Sequence, residues 1–121
     1  MKTRRFRDLL VWQNSMALAR EIDTITKAFP QKERFGLTGQ MCRAAVSIPS
    51  NIAEGHGRLT DRSFALFLGN ARGSLFELET QLEIAASLHY LEVEKLQSVL
   101  EDCEKLTRML NALLKTLRKD D

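Results

Sequence analysis

Apolar residues recur along this chain at alternating spacings of three and four, the period of a helix with one buried face. A first helix is expected from Leu9 to about Ala28, capped by Asp8 and stopped by Phe29-Pro30, because the residue before a proline is pushed out of the helical region. A second begins near Lys32 or Glu33, carries Leu37, Met41, Ala45, Ile48 and Ile52 inward, and ends at Gly55-His56-Gly57, where glycine can take the left-handed closing geometry. Thr60 offers its side chain as the cap of a third helix, Asp61 to about Leu88, with a seam of Phe64, Phe67/Leu68, Ala71, Leu75, Leu78, Leu82 and Ala85. After the turn His89-Tyr90-Leu91, a fourth runs from about Val93 to Leu117 on Leu96, Leu100, Cys103, Leu106, Leu110, Leu113 and Leu117. Short connections make successive helices antiparallel, so the expected fold is all-α, an up-down-up-down four-helix bundle.

Pro49 breaches the pattern inside the second helix, removing a donor and freeing the Ala45 carbonyl. The apolar spacing stays in phase across it, which favours a kinked continuous helix over a break at Ile48-Pro49-Ser50; Ser47 stands near enough to help the freed backbone.

Composition agrees with one soluble domain. The chain has 121 residues, 44% hydrophobic and 28% charged, with two prolines and six glycines, so residues 1–121 read as a single unit with a short basic arm at 1–7. The basic start lacks the apolar run of a signal peptide, and no apolar stretch reaches the about 18 residues of a membrane span, so a cytoplasmic protein without membrane contact is expected. Cys42 and Cys103 lie far apart within helical patterns and read as core thiols. Acidic residues early in the fourth helix (Glu92, Glu94, Glu101) and basic ones late (Lys115, Arg118, Lys119) suit the helix dipole and need no functional account.

Two helices carry more apolar surface than one core face needs. On the third, Leu66, Gly69, Gly73, Phe76, Thr80, Ile84 and Ser87 form a row opposite the seam, with glycines four apart that would let another backbone come close. On the first, Val11, Leu18, Ile22 and Ile25 lie beside an inner row of Leu9, Trp12, Met16 and Ala19. Homo-oligomerisation through helices one and three is expected, with Val11, Leu18, Ile22, Leu66, Gly69, Gly73, Phe76 and Ile84 at the interface.

Nothing points to catalysis. His56 and His89 sit at helix ends without a nucleophile or an orienting partner, and neither the paired Glu-x-x-His of metal-binding bundles nor any nucleotide motif is present. No enzyme activity, metal or cofactor is expected. Arg43, Ser47, Asn51 and Glu54 form a polar stripe on the second helix, and Arg72, Ser74, Glu77 and Glu79 cluster on the third. Their ordinary role is to fix helix register; contact with a ligand or nucleic acid is the alternative. Arg4, Arg5 and Arg7 in the arm, with Arg58 and Arg62 at the turn between helices two and three, are the candidates for phosphate contact. The net charge is only +2, so a single copy would bind weakly and an oligomer that repeats the patch would bind better. A scaffold that binds proteins rather than RNA stays open.

The run QMCRAAVSIPSNIAEGHGR, Gln40 to Arg58, resembles the signature of the four-helix-bundle proteins encoded in intervening sequences of bacterial 23S ribosomal RNA genes. The likeness extends to Phe6-Arg7-Asp8-Leu9 with Val11-Trp12, Phe29-Pro30, Glu33 through Leu37, Ala71-Arg72-Gly73-Ser74, Glu77-Leu78-Glu79 and Tyr90-Leu91. That resemblance implies a homopentamer without enzymatic activity. It also implies kinship with the accessory bundle proteins of diversity-generating retroelements, which look like basic barrels that bind nucleic acid and a reverse transcriptase.

Overall fold

The structure, a computed structural model, describes residues 5–117. A 3-10 turn, Phe6–Asp8, leads into helix α1, Leu10–Thr26; a second, Gln31–Glu33, leads into α2, Leu37–His56; α3 spans Asp61–Ser87 and α4 Val93–Leu117. Among the described residues there is no strand, and no helix is long and apolar enough to cross a membrane. Ser47 meets Ser74 while Gly55 meets Phe67, so α2 and α3 run in opposite directions. Arg72 reaches Asn111 on α4, and Lys95 at the start of α4 pairs at 2.8 Å with Glu21 late in α1. These contacts close the four helices into a bundle around Ile22, Met41, Ile48, Ile52, Leu68, Leu75, Leu78, Leu82 and Leu110, all fully buried.

The first turns of α1 and α2 are built differently from expectation. Asp8 does not cap α1: it closes the 3-10 turn, and Leu9 stands at the N-cap without a side-chain bond. The segment 5–7 is not a loose arm, because Phe6 packs edge-on against Trp12 at 5.3 Å and the Arg7 carbonyl accepts from Gln13 Nε2 at 2.8 Å. Helix α2 begins at Leu37, not at Lys32 or Glu33, because Gly36 takes a non-helical backbone. Glu33 then reaches forward, its Oε1 accepting the Leu37 N–H at 3.2 Å and its Oε2 accepting the Tyr90 hydroxyl at 2.9 Å. Thr60 caps α3 as expected, accepting the Ser63 N–H at 3.0 Å.

The Glu33 clasp joins the entrance of α2 to the turn before α4, and it titrates. The Leu37 N–H and then the Tyr90 hydroxyl hold the Glu33 carboxyl below its usual value of 4.5. A depressed acid contributes its stability above the unfolded pKa and loses it as pH falls through the lower folded pKa. Glu33→Gln is therefore expected to melt below the wild type at pH 7, with the gap closing in melts run at pH 3. A gap unchanged between those pH values would show that the clasp's charge contributes nothing.

The helix ends also reassign two glycines. Neither Gly55 nor Gly57 adopts the left-handed geometry; Gly57 has φ −80°. Gly55 lies inside α2 because a Cβ there would stand 2.5 Å from the Phe67 Cβ and 3.1 Å from Phe64 Cδ1, so it lets α3 approach. The left-handed residue is His89, φ 66°, at the end of α3. The Tyr90 N–H donates to the Ala85 carbonyl and the His89 N–H to that of Ala86, both at 2.9 Å, which is the Schellman closure usually made by glycine.

Helix α2 passes through a buried Pro49 without a break. Ser47 does not turn to the freed Ala45 carbonyl; it bonds Ser74 and Asn51 instead. Cys103 is buried, and burial, aided by Glu79, pushes its thiol up to about 12, so it carries no thiolate at neutral pH. Cys42 is only half-buried, its sulfur 3.7 Å from Thr26 Oγ1. On α4 the buried row is Val99, Cys103, Leu106, Leu110 and Leu114, with Leu96, Leu100, Leu113 and Leu117 half-buried at its margins.

Candidate functional site

The fold sorts the apolar rows first. Val11, Leu18 and Ile22, expected at a subunit interface, are 5%, 5% and 0% exposed within one chain and belong to its core. The reason is Ser15, which completes that row as a fully buried residue because its hydroxyl donates to the Trp12 carbonyl at 2.8 Å and hides its polarity. Leu9, Trp12, Met16 and Ala19, read as the inner row, are the half-buried flank.

The row on α3 is different. Leu66, Phe76 and Ile84 are 65%, 48% and 43% exposed, and Leu88 extends the row at 47%. A Cβ added at Gly69 or Gly73 would meet nothing within 4 Å. Two bare backbone positions four residues apart, flanked by large apolar side chains, form an open furrow on the solvent side of α3. Neither glycine is required by the packing of this chain.

The basic residues gather at one end. The starts of α1 and α3 and the ends of α2 and α4 meet there around an open cavity of about 430 Å³, lined in part by Leu9, His56, Arg58, Thr60, Phe64 and Leu117. Arg5 precedes and Arg7 lies within the turn that leads into α1, and Arg62 stands in the first turn of α3; all three are exposed. Arg4 lies outside the described residues. Arg58 is already engaged: it bonds Glu54 at 2.8 Å and lies over the Phe67 ring at 4.6 Å. Among the described residues it is the one arginine of the four with an ion-pair partner. Exposed pairs of this i,i+4 type are worth well under about 1 kcal/mol, so a phosphate can displace Glu54. Leu59, beside it in the turn, is fully exposed and was not singled out by any periodicity.

The polar cluster divides in three. Ser47 Oγ and Ser74 Oγ lie 2.8 Å apart across α2 and α3, and Asn51 Nδ2 donates to Ser47 Oγ at 3.0 Å, so these three do fix register between the two helices. Arg43 and Glu77 line the surface cleft above them. Glu54 has gone to Arg58, and Arg72 donates to Asn111 Oδ1 on α4 at 2.7 Å. Among the described residues no charged pair joins the two stripes. Asn111 was missed, although an amide among the leucines and lysines of α4 is the signal that marks it.

A family described as 23S rRNA-intervening sequence protein matches residues 7–112 of this chain. The chain belongs to that family. None of the curated proteins matches it. Among solved structures, a protein of unknown function from the S23 ribosomal protein family of Bacteroides thetaiotaomicron is similar, with a TM-score of 0.81. It is 24% identical, and the match covers 88% of this chain and 96% of that one, a likeness of fold. The matched span takes in Arg7, Arg58, Arg62 and the whole α3 furrow, while Arg5 lies outside it.

Proposed function

We propose that this intervening-sequence protein is a non-enzymatic cytoplasmic homo-oligomer, a pentamer, that binds RNA through its basic end. The observation that carries the reading is that Arg5 and Arg7 before α1 and Arg58 and Arg62 at the α2–α3 turn, two separate stretches of the sequence, stand at one end of the bundle. Arginine on an exposed rim binds phosphate by releasing counterions, without reading sequence. Each subunit supplies only a few such contacts. The α3 furrow supports association between copies, which would repeat the basic end and convert weak contacts into avidity. The bundle accessory proteins of diversity-generating retroelements suit the same plan, and a nucleic-acid-processing protein is then a natural further partner.

The experiment is a titration of the full chain with structured RNA at 50 and 200 mM salt. Affinity is expected to fall at least about tenfold across that range, from the counterions displaced by three or more arginines. Binding absent at 50 mM salt would end the nucleic-acid reading. A protein-interaction scaffold is the second reading, favoured by Leu59, a leucine fully exposed beside an arginine that Glu54 already neutralises. Capture of a defined protein partner by the wild type, resistant to nuclease and lost in Leu59→Ser, would support it.

A further inference from the structure

Two arginines of the basic end are seated on aromatic rings. The Arg7 guanidinium lies over the Phe6 ring, 4.7 Å from its centre, and Phe6 in turn meets Trp12 edge-on at 5.3 Å. Arg58 lies over the Phe67 ring at 4.6 Å, and its Nη2 donates to Glu54 Oε2 at 2.8 Å. The rings are themselves held, Trp12 packing against the core and Phe67 against Gly55. A guanidinium seated over a ring has given up much of its side-chain freedom before any ligand arrives, and Arg58 keeps N–H donors beyond the one that Glu54 takes.

The same end carries three acids. Asp8, Glu54 and Asp61 stand beside Arg5, Arg7, Arg58 and Arg62, so the diffuse pull on a flexible polyanion is weak, and affinity depends on donors held in place. The aromatic side chains here are engaged as well. Phe6, Trp12, His56, Phe64 and Phe67 are all half-buried, with His56 edge-on to Phe64 at 5.7 Å. A base that stacked on Phe6 or Phe67 would compete with the arginine already there. The exposed rings lie elsewhere, Phe35 ahead of α2 and Phe76 in the α3 furrow.

We infer that the basic end takes the backbone of double-helical RNA in preference to a single strand, through Arg7 and Arg58 held ready on Phe6 and Phe67. Single strands gain much of their affinity by laying bases on open aromatic faces, which this end uses to seat arginines. A duplex keeps its bases paired and offers phosphates in a fixed array, so fixed donors meet fixed acceptors and neither side loses much freedom on binding. Each phosphate contact also releases more counterion from a duplex than from a single strand. The inference rests on the nucleic-acid reading of this end and specifies the form of the RNA.

The test is titration of the full chain, followed by fluorescence anisotropy, with a labelled RNA duplex of about 16 base pairs and with one of its strands alone, chosen free of self-pairing. At about 50 mM salt the duplex is expected to bind at least about tenfold tighter than the strand. The double variant Arg7→Lys with Arg58→Lys keeps every charge but lacks the planar groups that sit on the rings, and both positions are exposed, so its melting curve should match the wild type. It is expected to lose about tenfold in duplex affinity, with strand affinity and salt dependence unchanged. A strand bound as tightly as the duplex, an undiminished duplex preference in the lysine variant, or an equal loss on duplex and strand would overturn the inference and leave the basic end as an RNA site. Binding of neither RNA would end both.

Discussion

Ile22→Ala is expected to lower folding stability by about 3 kcal/mol, the usual cost of removing a fully buried isoleucine side chain and leaving a partly collapsed cavity. For a domain of this size that is a fall of about 10 °C in melting temperature. The same residue could be taken for part of a subunit interface, since the row Val11, Leu18 and Ile22 exceeds what the flank of Leu9, Trp12, Met16 and Ala19 leaves for the core. The two roles give different results. A core residue lowers the stability of every copy by the same amount and leaves the assembly of native copies intact. An interface residue would make the loss shrink as protein concentration rises, because association stabilises by mass action. Thermal or urea unfolding at two concentrations a hundredfold apart separates them; the account requires the same loss at both, with unchanged native mass in light scattering.

Gly73→Leu has the opposite signature. A Cβ at this position meets nothing within 4 Å in the single chain, so leucine adds no clash there and replaces a weak helix former, a gain of up to about 1 kcal/mol for α3. In an assembly that seats a neighbouring backbone in the furrow, the same side chain occupies the neighbour's place. The variant is expected to be at least as helical as the wild type by circular dichroism, to lose association, and with it to lose roughly a hundredfold in RNA affinity as multivalency disappears. A variant that associates and binds RNA like the wild type would place the subunit contact elsewhere on the molecule.

Which parts of this were legible beforehand follows from what a linear pattern can encode. The four helices, the Thr60 cap and the α3 seam were readable because breakers, caps and periodicity are local properties. The exposed row of α3 was readable too, since an apolar face opposite a complete seam has no use in one chain. Spacing alone misplaces the core row of helix α1 because that row contains Ser15, whose polarity is cancelled by a bond to its own helix backbone that spacing does not reveal. The start of α2 was placed early because the Glu33 cap depends on Gly36 leaving the helical region. Gly55 reads as a helix stop in the sequence, whereas its role is set by Phe67 across the bundle. The same limit governs the site. The arginines could be picked out singly, but Glu54 at i,i−4 from Arg58 was a visible partner passed over, and Arg72 with Asn111 required the α3–α4 register.

The most direct test of the central claim, that the α3 furrow joins copies and so multiplies the basic end, is the mass of the native protein by light scattering after size exclusion. At micromolar concentration the account predicts a single species near five times the 13.8 kDa chain, reduced to the chain mass in Gly73→Leu. A wild-type protein that elutes at 13.8 kDa would contradict it, leaving Phe76 and Ile84 in water and each basic end alone.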